Sequence, residues 1–293
     1  MKKICNFFLI PLAGFLLVCG ILAFGGCSGS PAKEPEAAQQ PSLEYPPEVP
    51  AGYEGKTERR WARIYGNHLY DLIRERPLAW LPAGILEHHG EHLPWSLDGQ
   101  KAYLVCLRLS EKLNGVVLPA SLLAGVHGDR RPEQSEQEYR DFNKNVGDFM
   151  FTEDYLRRFL LETYGGLANI GFKVIVAYTG HYPEIQTRII RETAEQYSAT
   201  GRATVIPFWE PLACGEGDHG AKWESSIWEA LVPSGVRMEA IVDSETGKSG
   251  YYRGKEFRSQ ISREFGEKAL AMVEDYLTRK IDEAFAGQGQ KQP

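Results

Sequence analysis

The sequence predicts an α/β protein, with a mostly parallel sheet and helices on both of its faces. Three observations point there. From Trp61 onward, short apolar runs alternate with longer stretches of helical period. The clearest run, Lys173-Val174-Ile175-Val176-Ala177-Tyr178, has the composition of a buried strand. Clusters of His, Asp and Glu stand directly behind the apolar runs, where open parallel sheets place their ligand sites.

Taken in order, Trp61 to Ile73 reads as a helix and Leu78 to Pro82 as the first strand. Lys101 to Leu113 is helical, and Val116 to Ala120 is a second strand. Tyr155 to Leu167 is a helix that leads into the strand Lys173–Tyr178. Ile185 to Tyr197 is helical, Ala203 to Phe208 is a fourth strand, and Ile227 to Leu231 is a short helical stretch. A long tail helix, Phe257 to Phe285, carries Phe257, Ile261, Phe265, Ala269 and Val273 at four-residue spacing.

Composition bounds what the chain can be. Of its 293 residues, 43% are hydrophobic and 25% charged, which excludes a disordered chain, a collagen and a coiled-coil rod. Lys plus Arg number 33 against 39 Asp plus Glu, a formal charge of −6, so nothing favours a nucleic-acid partner. The cysteines are Cys5, Cys19, Cys27, Cys106 and Cys214, with no close pair in the body of the chain. A disulfide framework and a Cys-based zinc site are therefore not expected.

The N-terminus reads as an address. Lys2 and Lys3 precede an apolar run from Ile4 to Phe24, and Gly25-Gly26-Cys27 follows. This resembles the signal of bacterial lipoproteins, with residues 1–26 removed and Cys27 lipidated, although Phe24 stands where Leu is usual. The alternative is an uncleaved anchor, since about 20 apolar residues span a bilayer. Both imply export and tethering at the cell envelope. Residues 27–50 form a Pro-rich linker, 51–286 a single domain and 287–293 a polar tail.

Three clusters carry the chemistry. The first, Glu87-His88-His89-Gly90-Glu91-His92-Leu93-Pro94-Trp95-Ser96-Leu97-Asp98, follows the first strand. In extended chain, residues i and i+2 face one side, so Glu87 and His89 can meet at one point. Carboxylate and imidazole are ligands that zinc, manganese and iron share. Asp98 can cap the next helix or bridge two metals. The second cluster, Thr179-Gly180-His181-Tyr182-Pro183-Glu184, follows the clearest strand, and Glu184 suits either a ligand or a first-turn helix acid. In the third, Asp218 to Ser226, His219 and Glu224 offer a proton-transfer group and a further ligand. Tyr182 and Trp223 are the aromatic candidates for the substrate wall, with Trp95 and Trp209 nearby; His127 is a weaker candidate for the same cleft.

In this order the clusters resemble the creatininase (creatinine amidohydrolase) family. Glu87, His89, Gly90, His92, Leu93, Pro94 and Asp98 match its Glu-x-His-Gly-x-His-Leu-Pro segment and following Asp. Gly180-His181 matches a later Gly-His, and His219, Glu224 and Ser225 match its last motif. The resemblance implies a three-layer α/β/α sandwich and a binuclear site of zinc or manganese, or alternatively iron. One ion would take Glu87 and His181 and the other His89 and a second Glu, either Glu184 or Glu224, with Asp98 bridging. His219 would be the catalytic proton-transfer histidine. It further implies hydrolysis of the C–N bond of a small cyclic or linear amide by hydroxide shared between the ions, and assembly as a hexamer. Creatinine itself is not indicated, because Gly128 to Gly147 is far more polar than the family's pocket segment there. A tethered protein of the same fold that binds a metal or small ligand without turnover is the alternative.

Overall fold

The computed structural model describes residues 57–127, 135, 137–138, 151–241 and 257–289. The segments read as signal and linker, Cys27, most of the polar stretch after His127 and the end of the tail lie outside the described residues. No described helix is long and apolar enough to cross a membrane.

Among the described residues, four parallel strands form one sheet: β1 (Leu78–Ala83), β2 (Val116–Val117), β3 (Val174–Thr179) and β4 (Thr204–Phe208), in the order β2-β1-β3-β4. Leu78 pairs with Val174 and Val174 with Thr204, which aligns the strand starts. Every β1 and β3 residue is buried, as strands covered on both faces must be.

Alternate strand residues serve two separate cores. Leu78, Trp80, Val174, Val176, Tyr178 and Phe208 pack with α2 (Leu97–Leu113), α6 (Lys222–Leu231) and α7 (Arg263–Gly289). Ala79, Leu81, Ala83, Ile175, Ala177 and Val205 pack with α1 (His68–Glu75), α3 (Glu153–Ile170) and α4 (Glu184–Ser198). The period-two pattern thus builds a helix layer on each face, the three-layer sandwich expected. A short α5 (Pro211–Cys214) follows β4.

Helices α2 and α6 start earlier than in the sequence reading, at Leu97 and Lys222, and three other boundaries differ in kind. The helix expected from Trp61 to Ile73 is a 3₁₀ turn, Trp61–Arg63, followed by α1 from His68. Between them Gly66 sits at φ +52°, a left-handed conformation that ends any continuous helix. The second strand is only Val116–Val117. The tail helix begins at Arg263, because Phe257 and Ile261 turn aside to pack with Ala221 and Ile241.

Two close approaches fix what stands at the strand ends. A Cβ on Gly84 would lie 2.3 Å from the Gly99 nitrogen, and one on Gly180 2.1 Å from the Asp98 carbonyl oxygen. The first turn of α2 therefore rests directly on the chain leaving β1 and β3. Only glycine permits that contact.

Candidate metal centre

The chain beyond β1 carries Glu87, His89 and His92; α2 contributes Asp98, the end of β3 His181 and the first turn of α6 Glu224. Polar side chains from four distant segments are thereby brought to one point, and Glu87, His89, Asp98, His181 and Glu224 are all at most 4% exposed. Their ligand atoms form overlapping groups within 4.8 Å: Glu87 with His127 and His181, Glu87 with His89 and His219, and His89 with Asp98 and Glu224.

Main-chain carbonyls orient both buried imidazoles. His89 Nδ1 donates to the Glu87 carbonyl at 3.0 Å, which turns Nε2 toward Asp98 Oδ1 at 3.1 Å. His181 Nε2 donates to the Val126 carbonyl at 3.3 Å, which turns Nδ1 to Glu87 Oε2 at 2.7 Å and Asp98 Oδ2 at 3.2 Å. Such outer partners fix the tautomer and aim of a metal-ligating histidine. The main chain around Val126 is itself held by Gln186, whose side chain accepts from Val126 N and donates to the Ala124 carbonyl.

Charge is concentrated here. Burial opposes charge on His89, but Asp98, Glu224 and Glu87 outweigh it and hold the imidazole up at about 9. His181 is likewise opposed by burial and held up at about 10, chiefly by Glu87 and Asp98. Glu87 would be raised by its burial, yet His181 and His127 keep it well below the usual carboxylate range.

One observation tests whether these residues suit a metal. His89 Nε2 and both carboxylate oxygens of Asp98 are buried, and none has a hydrogen-bond partner. They approach their neighbours closely without hydrogen-bond geometry, and buried polar atoms are rarely left so. Coordination to a divalent cation would satisfy such atoms, and nitrogen-plus-carboxylate donors are what zinc, manganese and iron accept. The residues fit.

The remaining candidates separate. His219 lies 3.7 Å from Glu87 Oε1 through Nδ1, donates from Nε2 to the His88 carbonyl and stacks on His89 at 4.4 Å. Half-exposed, it lines a cavity of about 490 Å³ together with Glu87, Asp98, His181, Tyr182 and Glu224. His127, passed over in the sequence as a weak candidate, lines the same cavity and brings Nε2 to 3.0 Å from Glu87 Oε1. Tyr182 presents its ring, since its hydroxyl donates to the Asp218 carbonyl at 2.7 Å.

Two expectations are corrected. Glu184 opens α4 as an exposed first-turn residue and joins no ligand group, because Pro183 starts the helix and turns its next side chain outward. Of the two acids weighed, Glu224 is the one in the cluster. Trp223 packs edge-on against Phe265 at 4.6 Å and is absent from the cavity lining, so it is a packing residue.

The sequence motif Gly-x-His-Leu-Pro also has a structural use. His92, buried beside the cluster, bonds through Nε2 to the Gly220 carbonyl at 2.8 Å. It ties the loop after β1 to the loop that carries His219. Asp218 caps α6 by accepting from Trp223 N and Glu224 N. Burial, with Glu224 close by, pushes its carboxyl up to about 6.

Comparison with known proteins is consistent with this geometry. Residues 66–278 match the family model for creatininase, described as creatinine amidohydrolase. A creatinine amidohydrolase of Pseudomonas putida is 24% identical over 183 residues, covering 56% of this chain and 67% of that protein. A crystal structure of creatinine amidohydrolase superposes with a TM-score of 0.59 at 18% identity, covering 77% of this chain and 99% of the other. A manganese creatininase gives 0.60 at 20% identity, covering 78% and 98%. A variant creatininase of Zn-Zn type gives 0.60 at 19% identity over the same shares.

Proposed function

Since the chain belongs to the creatininase family, we propose that it is a binuclear metal-dependent amidohydrolase acting on a small cyclic or linear amide. The observation that carries this reading is Asp98, whose two partnerless oxygens lie between the Glu87–His181 pair on one side and His89 with Glu224 on the other. When bound, two divalent ions supply a water acidic enough to attack at neutral pH and a Lewis acid for the carbonyl.

The chain's own groups do the rest. His219 faces the cavity with Nδ1 while its Nε2–H is anchored on the His88 carbonyl, so one ring nitrogen is free to carry a proton to the departing nitrogen. An amide nitrogen leaves poorly until protonated, and a positioned histidine suits that transfer. Pro183, Pro211 and Tyr182 add apolar surface to the cavity lining. A cavity of about 490 Å³ is the size of a small-molecule site.

Three further parts of the reading come from sequence and resemblance: signal removal before Cys27, a lipid tether at the cell envelope, and assembly as a hexamer. The test is a metal-replete screen of lactams, formamides and cyclic ureides, reading released amine or carboxylate. Turnover that chelation abolishes and added metal restores supports the proposal. Two bound ions with no turnover across the screen would make the protein a ligand-capturing relative.

A further inference from the structure

Behind the cluster lies a cation that no motif predicted. Lys101 sits one turn after Asp98 on α2 and is wholly buried. Lysine is almost never fully buried unless paired. Here Nζ is 2.7 Å from Glu224 Oε1 and 3.0 Å from Glu210 Oε1, and it lies 5.1 Å from the centre of the Tyr182 ring. Glu210 Oε1 also accepts from the Tyr178 hydroxyl at 2.9 Å, while Glu210 Oε2 is buried without a hydrogen-bond partner.

The two oxygens of Glu224 are thus differently engaged. Oε1 is taken by the ammonium. Oε2 accepts from Gly220 N at 2.7 Å and is the oxygen near His89, 3.6 Å from Nε2. A carboxylate left to itself can grip an ion with both oxygens. One whose first oxygen is held by a buried ammonium has only the second to offer.

We propose that Lys101 is a positioning residue: by holding Glu224 Oε1, backed by Glu210, it makes Glu224 a ligand through Oε2 alone. This rests on the binuclear reading above. Its consequence is one protein donor fewer on the ion beside His89, and so one more place there for water or the substrate carbonyl. Glu210 keeps the ammonium in place from the far side. Neither residue lines the cavity.

The test has two arms. In the crystal structure of the zinc-loaded protein, Glu224 should reach the ion through Oε2 at about 2.0–2.2 Å. Oε1 should remain bonded to Lys101 Nζ. A chelating Glu224, both oxygens on the ion, overturns the proposal without variants. The second arm uses cobalt as a coordination probe in the wild type and in Lys101→Met/Glu210→Gln, which removes the cation together with the acid it would strand. Once Oε1 is free, Glu224 should chelate and the coordination number rise, so visible cobalt absorption should fall several-fold at unchanged stoichiometry. An unchanged spectrum with two cobalt ions bound overturns the role of Lys101 and leaves the binuclear reading intact. Failure of the wild type to bind cobalt or zinc sinks both.

Discussion

Loading the centre with metal should release protons, and the structure says how many. In metal-stripped protein His89 is held at about 9 and His181 at about 10, so at pH 7.5 both imidazoles are charged in nearly every molecule. A divalent ion binds only neutral imidazole. Filling the centre at pH 7.5 should therefore displace about two protons per chain from the rings, one from each, besides the proton given up by a metal-bound water. Apparent affinity for the pair should rise by roughly 100-fold per pH unit below 9 and level off beyond 10. Calorimetric titration with zinc, repeated at one pH in buffers of different ionisation enthalpy, gives the proton count as a slope. A slope of about one or less at pH 7.5 would refute the reasoning, since the metal-bound water alone accounts for that much and the carboxylates would then not hold the rings charged. Stability gives an independent reading. Both folded-state values lie above the ordinary 6.5, so their stabilisation of stripped protein is complete below about 6.5 and fades as pH climbs through 9 to 10. For His89 alone the loss is roughly 3 kcal/mol. The depressed values of Glu87 and Asp98 are the same attraction seen from its other end, and they fade instead as pH falls through the acid range. Melting temperature of chelated protein should drop between pH 7 and 10, while that of zinc-loaded protein should not.

Other expectations follow from the same geometry. His219→Gln should cut kcat by about 10²–10⁴-fold with metal content unchanged, read by turnover and elemental analysis on one sample. Glu224→Gln should cost about one metal equivalent, whereas Glu184→Gln should cost none, since its side chain is exposed on the first turn of α4. Gly180→Ala places a methyl 2.1 Å from the Asp98 carbonyl oxygen, so it should lift the first turn of α2 and lower metal retention more than a surface Gly→Ala change does, for example at Gly201. Cys27→Ser should accumulate as an unlipidated precursor in membrane fractionation; normal processing and attachment would point to an ordinary signal or a spanning anchor.

Much of the layout was legible because it is written locally. Val174 to Thr179 alternates between two buried faces, and nothing but a central strand of a covered sheet uses such a run. The meeting of Glu87, His89 and Asp98 at one point was legible for a similar reason, as spacing along one loop and one helix start. What stayed hidden depends on contacts far apart in sequence. Lys101 reads as an ordinary polar helix residue until Glu210 and Glu224 arrive from beyond β4. His127 reaches Glu87 from a segment that the Gln186 side chain clamps across some sixty positions. Between Glu184 and Glu224 spacing could not decide, because both open a helix, and only the rotation of the first turn sends one acid inward.

The seating of α2 on two glycines has a consequence for how such a protein can change. Asp98 is located by main chain pressed on main chain, at Gly84 and Gly180, and not by the side chains that surround it. The cavity wall, by contrast, comes from Pro183, Pro211 and Gly217 on the stretches that follow β3 and β4. Wall residues can therefore be exchanged, lengthened or reshaped for a differently sized guest while the Asp98 carboxylate keeps its place. In a lineage that diversifies its substrates, variation should pool in the wall and stop at those two glycines, where the smallest added side chain collides with the backbone.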